Sequence, residues 1–333
     1  MKIFRLIQNE HMKLFSKIGT WVMIGILLIV AVSMAIIGKK AYEPYKNPER
    51  WKQETAEKKI KIEEEVAKAE EKAAKEAEEG NDNENVSPED EELAIKQGDL
   101  KYYEYRIKHN IKENGIQTYL MTSTNTMAVV VIMSIIISSS IVSSEFSMGT
   151  IKLLMVRPVN RIKILLSKYL TTVMMLCLFT ILFIVFHFIV GAIFIGFDGI
   201  DGTFLYLKKD KVAQTDFLPY LSEKIMFNLI IALVTASLAF MLSTVLRSSP
   251  FAMALALFVS LLGPDLSGYL ISKKYTWAKY VLFTHMDLNW YLDGLKPPLK
   301  GITINFSLTI LAIYYLAFLL TAFITFKKRD IST

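Results

Sequence analysis

"KYLTTVMMLCLFTILFIVFHFIVGAIFI", residues 168–195, carries one charged side chain, the lysine at its first position. At 1.5 Å per residue, a helix of this length exceeds the roughly 30 Å of hydrocarbon in a bilayer. Hydrocarbon offers no hydrogen-bond partners, so the backbone N–H and C=O groups of such a run must bond to one another, as they do in a helix. The stretch therefore predicts a membrane-spanning helix.

Five more apolar runs follow the same pattern. They cover residues 18–37, 120–142, 225–246, 250–270 and 302–326. In a chain of 333 residues that is 53% hydrophobic, the apolar residues are thus concentrated in segments long enough to span a bilayer. We therefore predict an all-α polytopic membrane protein with six transmembrane helices.

The net charge of +6 hides a segregation along the chain. Residues 39–118 contain 16 Lys/Arg and 21 Asp/Glu, whereas the rest contains 22 basic and 11 acidic residues. A basic excess beside apolar runs is typical of cytoplasmic faces of membrane proteins, so nucleic acid is not expected as a partner.

The positive-inside rule predicts the orientation, because both ends of the chain are basic. It places the ends in the cytoplasm together with the loop 143–163, and it places 39–118, 197–222 and 271–301 outside. The five lysines of 271–301 disagree with this assignment. The basic residues at the ends are Lys2, Arg5, Lys13 and Lys17 before the first run, and Lys327, Lys328 and Arg329 in the tail 327–333.

Residues 1–17 have the pattern of an amphipathic helix that lies in the membrane interface. Ile3, Ile7 and Leu14 fall on one face at helical spacing, and basic residues fall on another,. A loose basic tail is the alternative.

Residues 39–118 predict an inserted extracellular domain. Residues 51–80 are rich in Ala, Glu and Lys, which favour a helix,. After a polar break, Ser87, Pro88 and Asp90 have the types and spacing of a helix start,. A helical hairpin is expected, with a single solvated helix and a disordered linker as the alternative.

The sequence contains no catalytic signature. It has no phosphate-binding loop, no zinc-protease motif and no nucleophile elbow, so we expect no enzyme activity and no cofactor bound by this chain,. Cys177 and four scattered histidines indicate no metal site. Uncharged polar residues within the runs are candidates for a substrate path, although hydrogen bonding between helices is their more frequent use. They are Thr122, Asn125, Ser139, His187 and Asn228.

The loop between the second and third runs is longer than a turn requires. It reads "SSEFSMGTIKLLMVRPVNR", residues 143–161, and Pro158 biases Arg157 away from helical geometry. We expect a helix over 145–156 that lies under the lipid headgroups or contacts a cytoplasmic partner. Gly149 suggests that another backbone approaches closely. The residues of this candidate contact surface are Glu145, Phe146, Gly149, Thr150, Lys152, Leu153, Leu154, Arg157, Pro158 and Arg161.

These residues resemble the cytoplasmic coupling region of ABC-2 type transporter permeases. The matching pattern is Glu145, then Gly149 and Thr150, then Leu153 and Leu154, then Pro158 and Arg161, and finally Lys168 at the third helix. Six spans, cytoplasmic ends, an amphipathic N-terminal helix and a large first outer loop are also similar to that family.

The resemblance implies an exporter subunit in a bacterial plasma membrane. Such a subunit dimerises, as a homodimer or with a second permease, and recruits two ATP-binding subunits that carry ATP and Mg²⁺. Antimicrobial peptides, drugs, lipid-like compounds and ions are the substrates that it implies. A membrane-anchored peptide sensor or immunity protein is the alternative, and a secondary transporter is disfavoured by the scarcity of carboxylates in the spans.

Overall fold

The computed structural model describes residues 2–42, 50–78, 88–112, 114–150, 160–197, 199–208, 211–246, 248–273, 275–292, 297, 299 and 301–328. The α-helices are α1 (Lys2–Phe15), α2 (Ile18–Tyr42), α3 (Arg50–Glu78), α4 (Pro88–His109), α5 (Gly115–Ser123), α6 (Ala128–Ser140), α7 (Ser143–Ser147), α8 (Arg161–Phe194), α9 (Phe217–Val245), α10 (Ser249–Ser272) and α11 (Ile304–Lys328). The strands β1 (Thr203–Lys208) and β2 (Lys211–Asp216) pair antiparallel.

Six helical segments of the described chain are long and apolar enough to cross a membrane. This confirms a helical, multi-pass membrane protein. The third segment begins at Arg161 instead of 168, and the fourth begins at Phe217 instead of 225. The segments are Ile18–Lys39, Gly115–Ser147, Arg161–Phe194, Phe217–Val245, Ser249–Ser272 and Ile304–Lys328.

The second segment is not the single helix predicted over 120–142. It starts at Gly115 and is interrupted by a 3₁₀ turn, Thr124–Met127, before α6. The hydroxyls of Ser123 and Thr124 donate to carbonyl oxygens three residues earlier, at 2.7 and 2.6 Å. Such bonds compete with the regular helical ladder, so the run of hydroxyl residues accounts for the tighter turn.

Two apolar clusters hold the bundle together. One joins α2, α6 and α8 through Leu27, Val130 and Phe179, which are fully buried. The other packs Phe326, near the end of α11, with Leu165 and other residues beside α7. Because α1 also contacts this region, both described ends of the chain lie at one end of the bundle, which we call the α1 end.

Helices α3 and α4 stand at the opposite end and pack side by side. Gln97 donates to Glu70 at 3.2 Å, and Lys59 pairs with Glu104 at 3.3 Å, an antiparallel arrangement. These contacts favour a helical hairpin over a single solvated helix in 39–118. The connection between the helices lies outside the described residues.

The segment 197–222 was expected to be a loop, and this is wrong. It contains the β1–β2 hairpin, and α9 begins directly after β2. The β1 sequence "TFLYLK" has the β-branched and aromatic residues that strands favour,. The hairpin rests against α4, where Gln214 donates to the Tyr105 hydroxyl at 3.2 Å.

The fifth helix continues past the Gly263-Pro264 pair, although proline in a helix interior usually kinks or ends the helix,. Pro264 lies inside α10, which ends at Ser272. The segment that follows forms 3₁₀ turns at Thr276–Tyr280, Leu282–His285 and Asn289–Tyr291. It packs back on the bundle, and its Phe283 ring lies so close to Gly263 that a Cβ on this glycine would overlap the ring.

Candidate functional site

The segment 143–150 is a short helix followed by a turn. α7 ends at Ser147, and Gly149 has a φ of +70°. The predicted helix over 145–156 is therefore interrupted after Ser147, because a left-handed residue ends an α-helix and glycine adopts that conformation without strain,. The rest of that range, 151–156, lies outside the described residues. Among the described residues, no atom lies within 4 Å of a Cβ placed on Gly149, so they show no close backbone approach there.

Part of the predicted contact surface cannot be placed. The residues Lys152, Leu153, Leu154, Arg157 and Pro158 lie outside the described residues. Of the others, Glu145 is buried, Phe146 and Thr150 are partly buried, and Arg161 is exposed in the first turn of α8. The described site therefore consists of α7, the turn after it and the elements that they contact.

A buried lysine lies at the centre of this site. The Lys168 side chain is 1% exposed and donates to Glu10 Oε2 at 2.8 Å and to Glu145 Oε1 at 3.2 Å. Its third contact is the Ile141 carbonyl oxygen, at 3.1 Å. One ammonium group thus joins α1, α7 and α8, with all three of its donors directed at oxygen atoms.

A second lysine completes the cluster from α1. Lys13 donates to Glu145 Oε1 at 2.9 Å and to Glu10 Oε1 at 3.4 Å, and half of its side chain is exposed. Thr150 donates to Glu145 Oε2, so the turn after α7 is tied to the same carboxylate. We call Glu10, Lys13, Glu145 and Lys168 the ion cluster.

The pKa of Lys13 reflects this pairing. Burial acts to lower the pKa, but the hydrogen bonds from Glu145 and Glu10 and their negative charges outweigh burial, so the pKa is raised. An ordinary lysine already has a pKa of about 10.4. Lys13 is therefore charged at neutral pH.

This cluster constrains relative position more than it adds stability. The free energy needed to remove two charges from water offsets most of their mutual attraction, so a buried pair adds little net stability. Removing one partner is nevertheless strongly destabilising, because the other charge is left buried and unpaired. A displacement of α7 that kept these contacts would carry α1 and the first turns of α8 with it. The arrangement can therefore transmit motion among three helices.

Hydrogen bonds from α9 hold the other side of α7. The Ser243 hydroxyl accepts from the backbone N–H groups of Val142 and Ser143 at 3.2 and 3.0 Å. The Ser143 hydroxyl donates to the Ser139 carbonyl oxygen at 2.6 Å. The N-terminus of α7, whose N–H groups lack helical partners, is thus fastened to α6 and α9.

The five residues expected along a substrate path have different environments. Thr122 and Asn125 are exposed at the break in the second segment, and His187 lies buried in α8. Ser139 is buried near α7, where its hydroxyl donates to the Ile136 carbonyl within the same helix. Asn228 donates to the Lys224 carbonyl in α9. Ser139 and His187 lie near opposite ends of the bundle, so the five do not form one cluster.

Sequence reasoning missed Glu10 and the role of Lys13. A signal was present, because Glu10 is three residues after Ile7 and four before Leu14. A carboxylate at that spacing falls on the apolar face of an amphipathic helix. An acid on an apolar face predicts a buried cationic partner, although it does not say which one.

The described residues offer no support for a metal centre. No group of three His, Cys, Asp or Glu side chains within them could hold a metal ion. The carboxylates of Glu10 and Glu145 both form ion pairs with Lys168. In the part of the chain that is described, this is therefore a site of charge pairing.

Comparisons with known proteins identify relatives over nearly the whole chain. A family described as "Protein of unknown function (DUF2705)" matches residues 89–332. The chain is 35% identical to the uncharacterized protein YhcI of Bacillus subtilis (strain 168), over 99% of this chain and 100% of that protein. It is 28% identical to the uncharacterized membrane protein YdbK of the same organism, over 60% of this chain and 76% of that protein.

Proposed function

The chain belongs to the DUF2705 family, whose function is unknown. From the ion cluster and the resemblance of residues 143–168, we propose that it is the membrane subunit of an ATP-driven exporter of the ABC-2 type. It dimerises, with itself or with a second permease, and binds two copies of a separate ATP-binding subunit. ATP and Mg²⁺ are bound by that partner. The exported compound is an antimicrobial peptide, a drug, a lipid-like compound or an ion.

The observation that carries this proposal is the ion cluster. A loop between two membrane helices needs no buried charges, yet Glu145 is paired with lysines from α1 and α8. Burying charged groups costs desolvation free energy, so buried ion pairs are not expected in a loop that only connects two helices. A segment that receives a push from a partner requires rigid connections of this kind.

The proposed orientation places the α1 end in the cytoplasm of a bacterial cell, with the protein in the plasma membrane. The basic residues that flank α2 and α11 support this orientation through the positive-inside rule. Helices α3 and α4 then lie outside the cell with the β-hairpin, and the segment 143–160 faces the ATP-binding subunit.

The proposed mechanism is a rigid-body transmission. Closure of the ATP-binding subunits displaces α7 and the residues after it, and the ion cluster carries α1 and α8 along. Because α1 leads directly into α2, the displacement reaches the first and third spans together. The bundle then alternates between inward-open and outward-open states.

The test is purification of the tagged full-length chain from its native membrane, followed by identification of bound proteins and assay of ATPase activity. We expect an ATP-binding subunit to co-purify. We expect Glu145→Gln to reduce coupled activity by about tenfold, within the range for a coupling free energy of about 1–3 kcal/mol. Glu223→Gln is the matched control, because Glu223 is exposed in α9.

Two results would contradict the proposal. One is a purified assembly that contains no ATP-binding subunit. The other is equal coupled activity in the Glu145 and Glu223 variants when both are inserted in the membrane at wild-type levels. A chain that binds an extracellular peptide without any ATPase would instead support the sensor alternative.

A further inference from the structure

The segment between α10 and α11 carries positive charge that the proposed export function does not explain. Residues 271–301 contain five lysines and two aspartates. α10 begins beside α7, where the Ser249 N–H donates to the Ser147 hydroxyl, so the segment after α10 lies opposite the α1 end. The positive-inside rule disfavours lysines there in the proposed orientation. The structure describes two of them, Lys273 and Lys279.

This segment folds down beside the helices instead of standing above them. The hydroxyls of Ser267 and Thr284 are hydrogen-bonded at 2.6 Å, and Phe283 packs against Gly263. Gly263 is nine residues before the end of α10 at Ser272, which is about 13 Å along the helix. The segment therefore lies at the depth where lipid headgroups meet the hydrocarbon.

A buried network fixes the backbone of the segment against α11. His285 is 1% exposed, and its Nε2 lies 2.8 Å from the Lys279 carbonyl oxygen, which only accepts, so Nε2 donates,. Nδ1 is then the acceptor for the Ser307 hydroxyl at 2.8 Å. The Tyr314 hydroxyl donates to the Tyr280 carbonyl oxygen at 3.1 Å. A backbone held at residues 279 and 280 has little freedom left to lose when it binds a ligand.

Three aromatic rings of this segment are exposed together. Tyr275, Trp277 and Tyr280 are 47%, 52% and 53% exposed. The rings of Tyr275 and Trp277 are stacked, with centroids 5.8 Å apart. Trp277 and Tyr280 are three residues apart in a 3₁₀ turn, which places their side chains on one side,. Exposed tyrosine and tryptophan at this depth are typical of the interface between membrane and water.

Two lysines hold their ammonium groups beside rings of this kind. Lys279 Nζ lies 5.2 Å from the centroid of Tyr280, and Lys273 Nζ lies 5.7 Å from the centroid of Tyr269. Tyr269 is exposed on α10, and so is Leu266, one turn earlier. Lys273 therefore follows directly after an apolar, exposed stripe of a membrane-spanning helix, which is where the headgroup of a bound lipid would lie.

Nearby acids leave both ammonium groups available. Within the described part of the chain, neither Lys273 nor Lys279 forms an ion pair. Asp265 is eight residues before Lys273, about 12 Å along α10,. The Asp287 carboxylate accepts from the Asn289 N–H at 2.9 Å. The charge at this surface is therefore complementary to an anion.

We propose that Lys273, Tyr275, Trp277, Lys279 and Tyr280 form a binding surface for the headgroup of an anionic phospholipid. The two ammonium groups contact the phosphate, the rings lie beside the glycerol, and an acyl chain follows the exposed stripe of α10. This function accounts for lysines at an end of the bundle where the positive-inside rule disfavours them. The surface requires no ATP-binding subunit, so it is independent of the proposed export function.

Fluorescence quenching of Trp277 tests this surface. The full-length chain is placed in nanodiscs of phosphatidylcholine that contain increasing fractions of brominated phosphatidylglycerol or, in parallel, of brominated phosphatidylcholine. The Trp277 signal is the fluorescence of each chain minus that of the same chain carrying Trp277→Phe. Both leaflets have the same composition, so the result does not depend on orientation.

We expect phosphatidylglycerol to quench Trp277 at a lower mole fraction than phosphatidylcholine does, and salt to reduce this preference. Lys273→Gln or Lys279→Gln should each weaken the preference about fivefold, from about 1 kcal/mol for each basic residue near the surface. The double variant should abolish it. Quenching by phosphatidylcholine should not change, which shows that the segment keeps its place. Lys101→Gln with Lys108→Gln, both exposed on α4, is the matched control and should keep the preference.

Three outcomes would overturn the proposal. Equal quenching of the wild type by the two lipids would show that the surface does not recognise the negative headgroup. A preference that survives in the double lysine variant would exclude these two residues as its cause. Displacement of phosphatidylglycerol by soluble glycerol phosphate would indicate a site for a soluble anion instead of a lipid. None of these outcomes bears on whether an ATP-binding subunit is recruited.

Discussion

Replacing Lys168 by Met is predicted to destabilise the protein by about 3 kcal/mol, near the lower limit for breaking a buried ion pair. The ammonium group lies 2.8 Å from Glu10 and 3.2 Å from Glu145 and is almost completely buried. At an effective dielectric constant of about 20, each attraction is about 5–6 kcal/mol. Desolvation of several kcal/mol per ion offsets most of this. Because Lys13 still contacts both carboxylates in the variant, the loss falls at the lower limit.

The measurement is the free energy of unfolding of the purified chain, from denaturant titration in mixed micelles. Lys163→Met is the matched control, because Lys163 is exposed five residues earlier in the same helix, and exposed substitutions usually change stability by less than about 0.5 kcal/mol. The double variant Glu145→Gln and Lys168→Met leaves Lys13 paired with Glu10 and no carboxylate without a lysine, so it should recover most of the loss.

Two results would refute this reasoning. If Lys168→Met cost no more than Lys163→Met, the ammonium would not be buried between the carboxylates. If the double variant were as unstable as Lys168→Met alone, uncompensated charge would not be the cause of the loss. Either result would also remove the rigid connection on which the proposed transmission depends.

Three other substitutions have definite expectations. Gly149→Ala should destabilise by about 1–2 kcal/mol because of its positive φ, and Gly149→Asn by less; equal losses would indicate that φ is not the cause. Gly263→Ala should cost about 1–3 kcal/mol through overlap with Phe283, and Phe283→Leu should recover part of it, whereas additive losses would rule out this contact. Burial lowers the pKa of His11. Protonation of this imidazole should therefore destabilise the folded chain as the pH falls below about 6.5. His11→Phe should reduce this loss of stability in melting curves recorded at several pH values, and unchanged curves would disprove the role of His11.

Much of the fold was predictable because membrane helices are a local property. The runs at 18–37 and 302–326 correspond to the helices Ile18–Tyr42 and Ile304–Lys328. Hydrocarbon penalises every unpaired backbone group, so apolar composition over sufficient length is enough to indicate a helix. The amphipathic helix at the N-terminus was likewise visible from its spacing,.

The predictions failed where hydrogen bonds or backbone conformation competed with apolar composition. The hydroxyl run at 122–126 tightened a helix that hydropathy alone would continue, and Gly149 ended another. The β-hairpin was missed because two short strands produce little signal beside long apolar helices.

The sequence by itself determined that this is a multi-pass helical membrane protein, since the cost of exposing a backbone to hydrocarbon depends only on residues within one segment. Only the tertiary structure decided that Glu10, Glu145 and Lys168 share one buried cluster. These residues are up to 158 positions apart, and an ion pair depends on a distance in space that no local pattern specifies. The Nε2 atom of His187, which has no hydrogen-bond partner among the described residues, is of the same kind, because only the folded chain shows which groups surround a buried atom,.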